Sequence, residues 1–270
     1  MALSPYDLGI TVHAASQADP RFSYSLYVPS SAVEPGSRPQ LIVAVHGTGR
    51  NFEETLQSLA DFARWHNCIV LCPLFPAGVR GDRNLHGYKY LIEGDIRYDK
   101  VLIDMIDEVA ARYDRDFSRF VLAGFSGGAH FVHRFLLLHP ERLLAAAIGA
   151  PGSVTLLDQT RRWWVGTADF EGLFGKPIAL DAIRKVNIHM SVGAVDLETW
   201  EINHKPGAAY WMEGANDAGL TRPERLKALK TSFEQHDIPA TFNLMNGAAH
   251  DERRYYNELK DFLRTAIAQG

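Results

Sequence analysis

The segment Phe120-Val-Leu-Ala-Gly-Phe-Ser-Gly-Gly-Ala129 decides the fold of this chain. Its apolar start predicts a buried strand, which runs through Gly-x-Ser-x-Gly directly into a helix. A serine at such a turn adopts a strained backbone, and the glycines two residues before and after it leave room for the strand and the helix. The turn lifts the Ser126 hydroxyl above the sheet edge, facing the helix N-terminus. This context favours Ser126 as a nucleophile over an incidental serine in a glycine-rich turn.

Apolar and amphipathic segments alternate along the rest of the chain. Residues 22–28 alternate with period two, as expected of a half-exposed antiparallel strand, whereas the continuous apolar run at 41–45 predicts a strand covered on both faces. Further strands are predicted at 69–71, 120–122, 144–148, 188–192 and 241–245, and helices at 53–64, 96–113, 129–138, 224–235 and 254–268. This order predicts one α/β domain over residues 1–270, with a mostly parallel sheet and helices on both faces.

Composition excludes several classes of partner. The 270 residues are 46% hydrophobic and carry a net charge of −4, so no basic surface is expected for nucleic acid or an anionic membrane. No signal peptide and no membrane span is predicted. Cys68 and Cys72 would lie about 13 Å apart along one strand, too far for a disulfide, and they are too few for a structural zinc site. We therefore expect a cytoplasmic protein.

One connection between predicted strands is unusually long. Residues 150–187 contain the pair Trp163 and Trp164 together with Phe170 and Phe174. Ordinary connections in such sheets are far shorter, so this segment predicts a lid or cap insertion that forms a wall of the substrate pocket. Packing of an irregular region is the alternative explanation for each tryptophan.

The Ser126 hydroxyl needs a base to take its proton and a third group to orient that base. For a serine at this kind of turn, the acid and then the histidine follow along the chain. His250 lies in a loop directly after the last predicted strand, where active sites of open α/β sheets collect, and is the candidate base. Five of the other histidines that follow Ser126 lie on predicted helices, at their ends, or inside a strand: His130, His133, His139, His189 and His236.

Three residues are candidates for the acid that orients His250. Asp196 follows a predicted strand and precedes the last helix–strand unit, which is the required order. Asp217 lies in the next loop, and Glu198 lies two residues beyond Asp196. Asp196 is favoured by its position, but a lone loop aspartate is also common as a solvated turn residue.

Backbone N–H groups are expected to stabilise the oxyanion that forms when a serine attacks a carbonyl. Gly127, directly after the serine, is one predicted donor. The second is predicted in the loop His46-Gly-Thr-Gly-Arg50, where glycines let the backbone approach a substrate closely. Thr48 is the expected donor, with Gly49 as the alternative. This loop matches no phosphate-binding glycine motif, and His46 is expected to brace it.

Together these motifs resemble the α/β-hydrolase superfamily. The resemblance rests on an apolar strand, His-Gly-Thr-Gly, Gly-Phe-Ser-Gly-Gly, Gly-Ala-Val-Asp and a terminal-loop histidine, in this order, from about residue 20 to the C-terminus. The N-terminal strands and the His-Gly-x-Gly loop are similar to esterase branches that include polyhydroxyalkanoate depolymerases and feruloyl esterases. The resemblance implies a sheet of about eight strands with the second antiparallel, and no metal or organic cofactor.

The predicted function is a serine hydrolase that cleaves a carboxylic ester, or a related acyl bond, of a small-molecule substrate. Ser126, His250 and Asp196 would act through an acyl-enzyme intermediate. Phe125, Trp163 and Trp164 are expected to line a pocket for an apolar or aromatic group. An acyltransferase or peptidase with the same residues, or a ligand-binding protein without turnover, are the alternatives. The stretch Tyr88-Lys-Tyr90 either reaches the pocket or forms a surface loop.

Overall fold

The computed structural model describes residues 3–268. In chain order the strands are β1 (Gly9–Ile10), β2 (Ala14–Ala15), β3 (Ser23–Val28), β4 (Gln40–Val45), β5 (Cys68–Leu74), β6 (Ile92–Glu93), β7 (Ile96–Arg97), β8 (Phe120–Phe125), β9 (Leu143–Gly149), β10 (Asn187–Gly193) and β11 (Thr241–Met245). The α-helices are α1 (Phe52–Trp65), α2 (Tyr98–Tyr113), α3 (Gly127–Leu138), α4 (Phe170–Phe174), α5 (Leu180–Ile183), α6 (Arg222–Glu234) and α7 (Glu252–Ile267). Short 3-10 helices include Gly87–Tyr90.

Eight strands lie side by side in the order β1-β3-β5-β4-β8-β9-β10-β11, and the short β2 pairs with β3. The five pairs from β5–β4 to β10–β11 are parallel, whereas β3 is antiparallel to both of its neighbours. The antiparallel strand is thus the second along this path. The mostly parallel α/β sheet predicted from the sequence is confirmed.

The central strands of the sheet are buried on both faces, as expected when helices cover both sides of a sheet. Strands β5, β8 and β9 are buried at almost every residue, which a strand requires when both of its faces are covered. The prediction that residues 22–28 form a half-exposed strand was wrong, since Tyr24, Ser25, Leu26 and Val28 are all buried. Helix α1 packs on β3, and the Tyr24 hydroxyl donates to Glu108 of α2 at 3.3 Å.

The parallel strands bring distant loops to one edge of the sheet. The segments that follow β4, β8, β10 and β11 all leave from the carboxyl ends of these strands, where ligands bind in open α/β sheets. Cys68 and Cys72 are buried in β5 as free thiols, and burial raises the pKa of the Cys68 thiol to about 12. Within residues 3–268, no helix has the length and apolar character needed to cross a membrane.

Candidate active site

Ser126 forms a tight turn between β8 and α3. Its φ of 52° and ψ of −116° lie where residues with a side chain are rarely found, so the backbone is strained at this residue. The turn is held by two hydrogen bonds: the Ser126 N–H donates to Gly149 O at 2.8 Å, and Ser126 O accepts from the Ala129 N–H at 3.0 Å. A Cβ added to Gly124 would lie 2.5 Å from the carbonyl carbon of Gly128, so this close approach requires glycine.

The loop after β4 places the Thr48 backbone nitrogen against Gly127. A Cβ on Gly127 would lie 2.8 Å from the Thr48 nitrogen and would also collide with the Tyr88 hydroxyl. The loop after β4 and the start of α3 therefore lie against each other beside Ser126. A Cβ on Gly49, the alternative donor, would find only Asn51 Oδ1, at 4.0 Å, and would make no comparable approach to Gly127. The structure thus brings together the two residues that the sequence favoured.

Asp196 and His250 meet at the same edge of the sheet. His250 Nδ1 lies 2.7 Å from Asp196 Oδ2, and the aspartate side chain is fully buried while about a quarter of the histidine side chain is exposed. Asp196 follows β10 and His250 follows β11, and these parallel strands end side by side with Gly193 opposite Met245. The buried carboxylate therefore fixes one ring nitrogen of His250 as the hydrogen-bond donor, leaving the other nitrogen available.

The His250 ring lies beside the serine turn. It stacks on the ring of Phe125, the residue before Ser126, with centroids 4.5 Å apart. In the described part of the chain, the Ser126 hydroxyl makes no hydrogen bond with another side chain, and it faces a cavity. Hydrogen bonds between a nucleophile and its base are often long without substrate and shorten when it binds.

Arg222, the first residue of α6, binds the second oxygen of Asp196. Its Nη1 donates to Asp196 Oδ1 at 3.0 Å and its Nη2 donates to Glu201 Oε2 at 2.7 Å. The arginine side chain is only 2% exposed. Because both carboxylate oxygens of Asp196 have charged or ring N–H partners, the carboxylate is held in one orientation. Sequence reasoning missed Arg222, because only the fold brings the start of this helix to Asp196.

A cavity of about 360 Å³ opens in front of Ser126. Its walls come from two segments far apart in the sequence, residues 84–90 and 200–210, and Arg222 and His130 also line it. Tyr90 and Tyr210 stack on one another, with centroids 4.2 Å apart and ring planes 14° apart. The cavity therefore has an aromatic wall beside the serine. Among residues 3–268, no group of His, Cys, Asp or Glu side chains is arranged to hold a metal ion.

Solved structures share this architecture at low sequence identity. Poly(aspartic acid) hydrolase-1 from Sphingomonas sp. KT-1 superposes with a TM-score of 0.73 and 16% identity, over 90% of this chain and 93% of that one. A poly(3-hydroxybutyrate) depolymerase from Bordetella parapertussis gives a TM-score of 0.70 and 19% identity, over 90% and 85%. The chain has the α/β-hydrolase fold. No protein-family model and no curated protein matches the sequence.

A ferulic acid esterase has the same α/β-hydrolase fold, with a TM-score of 0.62 and 12% identity over 94% of this chain and 95% of that one. Each of these three neighbours is described as a hydrolase, a depolymerase or an esterase. At such low identity the comparison establishes the fold. The roles of individual residues rest on the geometry of this chain.

The other two acid candidates, Asp217 and Glu198, make no contact of this kind with His250 in residues 3–268. Asp217 is exposed and pairs with Arg161 at 2.8 Å. Glu198 is also exposed and accepts from Trp200 Nε1 at 3.0 Å. Neither makes a hydrogen bond to His250 in the described residues, so the geometry favours Asp196.

The expected pocket residues do not line the cavity, which corrects that expectation. Phe125 is buried between His250 and Tyr255. Trp163 packs edge-on against aromatic residues of α4, and its Nε1 donates to Tyr90 O at 3.2 Å. The ring of Trp164 is buried, and its Nε1 donates to the Tyr210 carbonyl. The tryptophans thus support the cavity's tyrosine pair from behind, because their large rings fill the space between irregular segments.

His46 braces the loop after β4. Its Nε2 accepts from the Phe75 N–H at 3.0 Å and its Nδ1 donates to Gly47 O at 2.7 Å. Complete burial lowers the pKa of His46 to about 3, so the ring stays neutral at physiological pH. The neutral ring, with both nitrogens hydrogen-bonded, links Gly47 to Phe75 and braces this loop.

Proposed function

We propose that this protein is a serine hydrolase that cleaves a carboxylic ester, or a related acyl bond, through an acyl-enzyme intermediate. The observation that carries the proposal is the 2.7 Å hydrogen bond between His250 and buried Asp196, beside the strained turn at Ser126. A strained serine, an oriented imidazole and paired N–H groups are the parts that acyl transfer to serine requires. The hydrolase and esterase neighbours support this class of reaction.

In the first half of the reaction, His250 takes the proton of the Ser126 hydroxyl as the oxygen attacks the substrate carbonyl. The new C–O bond turns the carbonyl oxygen into an oxyanion, which accepts hydrogen bonds from the N–H groups of Thr48 and Gly127. Asp196 keeps the His250 ring in the required tautomer and stabilises its positive charge. The oxyanion then collapses, the bond to the leaving alcohol breaks, and His250 gives that alcohol its proton.

In the second half, water resolves the acyl-enzyme. His250 takes a proton from the water as its oxygen attacks the acyl carbonyl, and the same N–H groups stabilise the second oxyanion. Collapse releases the carboxylic acid, and the proton returns to Ser126. A cavity of about 360 Å³ with a stacked tyrosine wall fits a small substrate with a flat or aromatic portion.

The test of the nucleophile is a fluorophosphonate probe with peptide mapping. We expect label on the peptide that contains Ser126, and no label after Ser126→Ala. We also expect Ser126→Ala to fold like the parent and to lose several orders of magnitude of turnover on 4-nitrophenyl acetate. Near-normal turnover in a folded Ser126→Ala protein would exclude the mechanism.

Product analysis separates hydrolysis from acyl transfer. In the presence of an added alcohol or amine acceptor, we expect the free carboxylic acid as the main product. An accumulating acyl-alcohol or amide would instead assign the chain as an acyltransferase that uses the same three residues.

A further inference from the structure

Lys89 is buried in the wall of the cavity that contains Ser126. It lies in the 3-10 helix Gly87–Tyr90, next to Tyr88, whose hydroxyl lies against Gly127. Only 6% of Lys89 is exposed. Among residues 3–268, its ammonium group makes no hydrogen bond and no salt bridge, although a buried charge without a partner is costly.

The buried arginines around Lys89 differ from it because each has partners. Arg134 donates to Thr155 Oγ1 at 2.9 Å and to the Lys89 carbonyl at 2.7 Å. Arg225 donates to the carbonyl of Ile202 at 2.8 Å and to other oxygens. Arg222 has its two carboxylates. Lys89 is the one of these buried cations whose whole charged group lacks a protein acceptor in residues 3–268, although Arg222 Nε also lacks one.

More positive than negative side chains act on the Lys89 ammonium group. Arg50, Arg134 and Arg222 oppose a positive charge on Lys89, and Glu201 favours it. The acid is already bound, because the Glu201 carboxylate accepts from Arg222 at 2.7 Å. Burial also lowers the pKa of the nearby His86 and His204 to about 4, so these rings are neutral. An anion in the cavity would supply the missing partner.

We propose that Lys89 binds a carboxylate of the substrate, so that the preferred substrates are acyl compounds with a free carboxylate close to the scissile carbonyl. This inference rests on the proposed function, because Lys89 and Ser126 line one small cavity. A carboxylate fits better than a phosphate group. The single ammonium group of Lys89 matches the single negative charge of a carboxylate. The guanidinium groups of Arg134 and Arg225 already donate to protein oxygens, so they are not available to bind a phosphate.

A matched pair of esters tests the inference. Mono-4-nitrophenyl adipate carries the carboxylate, and 4-nitrophenyl methyl adipate is its neutral counterpart. We expect the parent protein to favour the anionic ester in kcat/KM. Lys89→Met keeps the length of the side chain and removes the charge. It should lower the anionic-to-neutral ratio by about 10- to 100-fold, the scale of a hydrogen bond to a charged group.

Lys205→Met is the matched control. Lys205 also lines the cavity but is exposed, so solvent and salt screen its charge, and its loss should change the ratio much less. A parent that prefers the neutral ester would overturn the inference, as would an equal ratio in the parent and Lys89→Met. Stronger inhibition by inorganic phosphate than by monomethyl adipate would overturn the choice of a carboxylate.

A binding measurement tests the carboxylate site at Lys89 independently of the proposed catalytic function. If fluorophosphonate does not label Ser126 and no ester is turned over, the proposed function fails. Calorimetric titration of monomethyl adipate into Ser126→Ala, with and without Lys89→Met, then decides the carboxylate site alone. Binding that weakens at least tenfold on loss of Lys89 supports the site, and equal binding in the two proteins overturns it.

Discussion

Two residues at the sheet edge contribute to the proposed chemistry in different ways. Ser126 contributes a strained backbone, and Asp196 contributes a buried charge. Ser126 has a positive φ and its turn is fixed by hydrogen bonds, so its hydroxyl is presented without reorganisation. Asp196 is hydrogen-bonded to His250 Nδ1 and is held by Arg222 as well. The imidazole is therefore oriented by a carboxylate that is itself fixed. Asp196 is thus the acid candidate to test against Asp217 and Glu198.

We predict that Asp196→Asn lowers kcat by up to ~10⁴, because the amide favours the wrong tautomer of His250. Steady-state kinetics on 4-nitrophenyl butyrate measures the effect. Asp217→Asn is the control, since Asp217 is exposed and pairs only with Arg161 in the described residues, and its kcat should stay close to that of the parent. The opposite ranking of the two variants would move the role to Asp217.

At the scale of elements, the cavity wall depends on a second apolar cluster outside the main core. Tyr90, Trp164, Val165 and Ala215 form this cluster, with Tyr210 packed against it. Its members come from three separate connections between sheet strands. The buried Trp164 ring packs on Tyr90 at 5.2 Å, and its Nε1 donates to Tyr210 O at 3.1 Å. This one side chain therefore holds the two segments that carry the tyrosine pair.

We predict that Trp164→Ala destabilises the protein by about 3–5 kcal/mol, the usual cost of truncating a buried tryptophan. It should also raise KM while kcat on 4-nitrophenyl acetate survives, because the tyrosine wall loosens but Ser126 keeps its turn. Urea unfolding and steady-state kinetics measure both effects. Trp65→Ala is the control, since Trp65 on α1 is 78% exposed. Equal stability of the two variants would contradict a structural role for Trp164.

Burial of Lys89 links the stability of the whole molecule to pH. Burial is the main cause that lowers the pKa of Lys89 from 10.5 to about 7. Below pH 7 both the folded and the unfolded chain hold this proton, and the folded state bears the full cost of the buried charge. Between pH 7 and 10.5 only the unfolded chain holds it, so this group makes stability rise with pH.

We predict that Lys89→Met is more stable than the parent by roughly 2–4 kcal/mol at pH 6, and that this difference shrinks toward pH 10. Urea unfolding at pH 6, 8 and 9.5 measures it. Lys227→Met on α6 is the control, because Lys227 is exposed and its loss should leave stability nearly unchanged at each pH. A difference between parent and Lys89→Met that does not vary with pH would contradict the lowered pKa.

The local features of this protein could be predicted from its sequence. The α/β order, the strand–serine–helix turn and the loops after β4, β10 and β11 each depend on a short stretch whose periodicity or glycine content dictates its backbone. Since parallel strands end at one edge, chain order alone was enough to favour Ser126, Asp196, His250, Thr48 and Gly127, and the structure places these residues together.

The set of residues that line the cavity depends on the tertiary structure. The cavity joins residues 84–90 to residues 200–210, and no periodicity links segments more than a hundred residues apart. Arg222 reaches Asp196 because of where α6 begins in space, and within residues 3–268 Lys89 is unpaired because its neighbours pair elsewhere. The chemistry of a local motif can therefore be predicted from the sequence. The specificity of its pocket requires the fold, because burial and pairing depend on how distant segments pack.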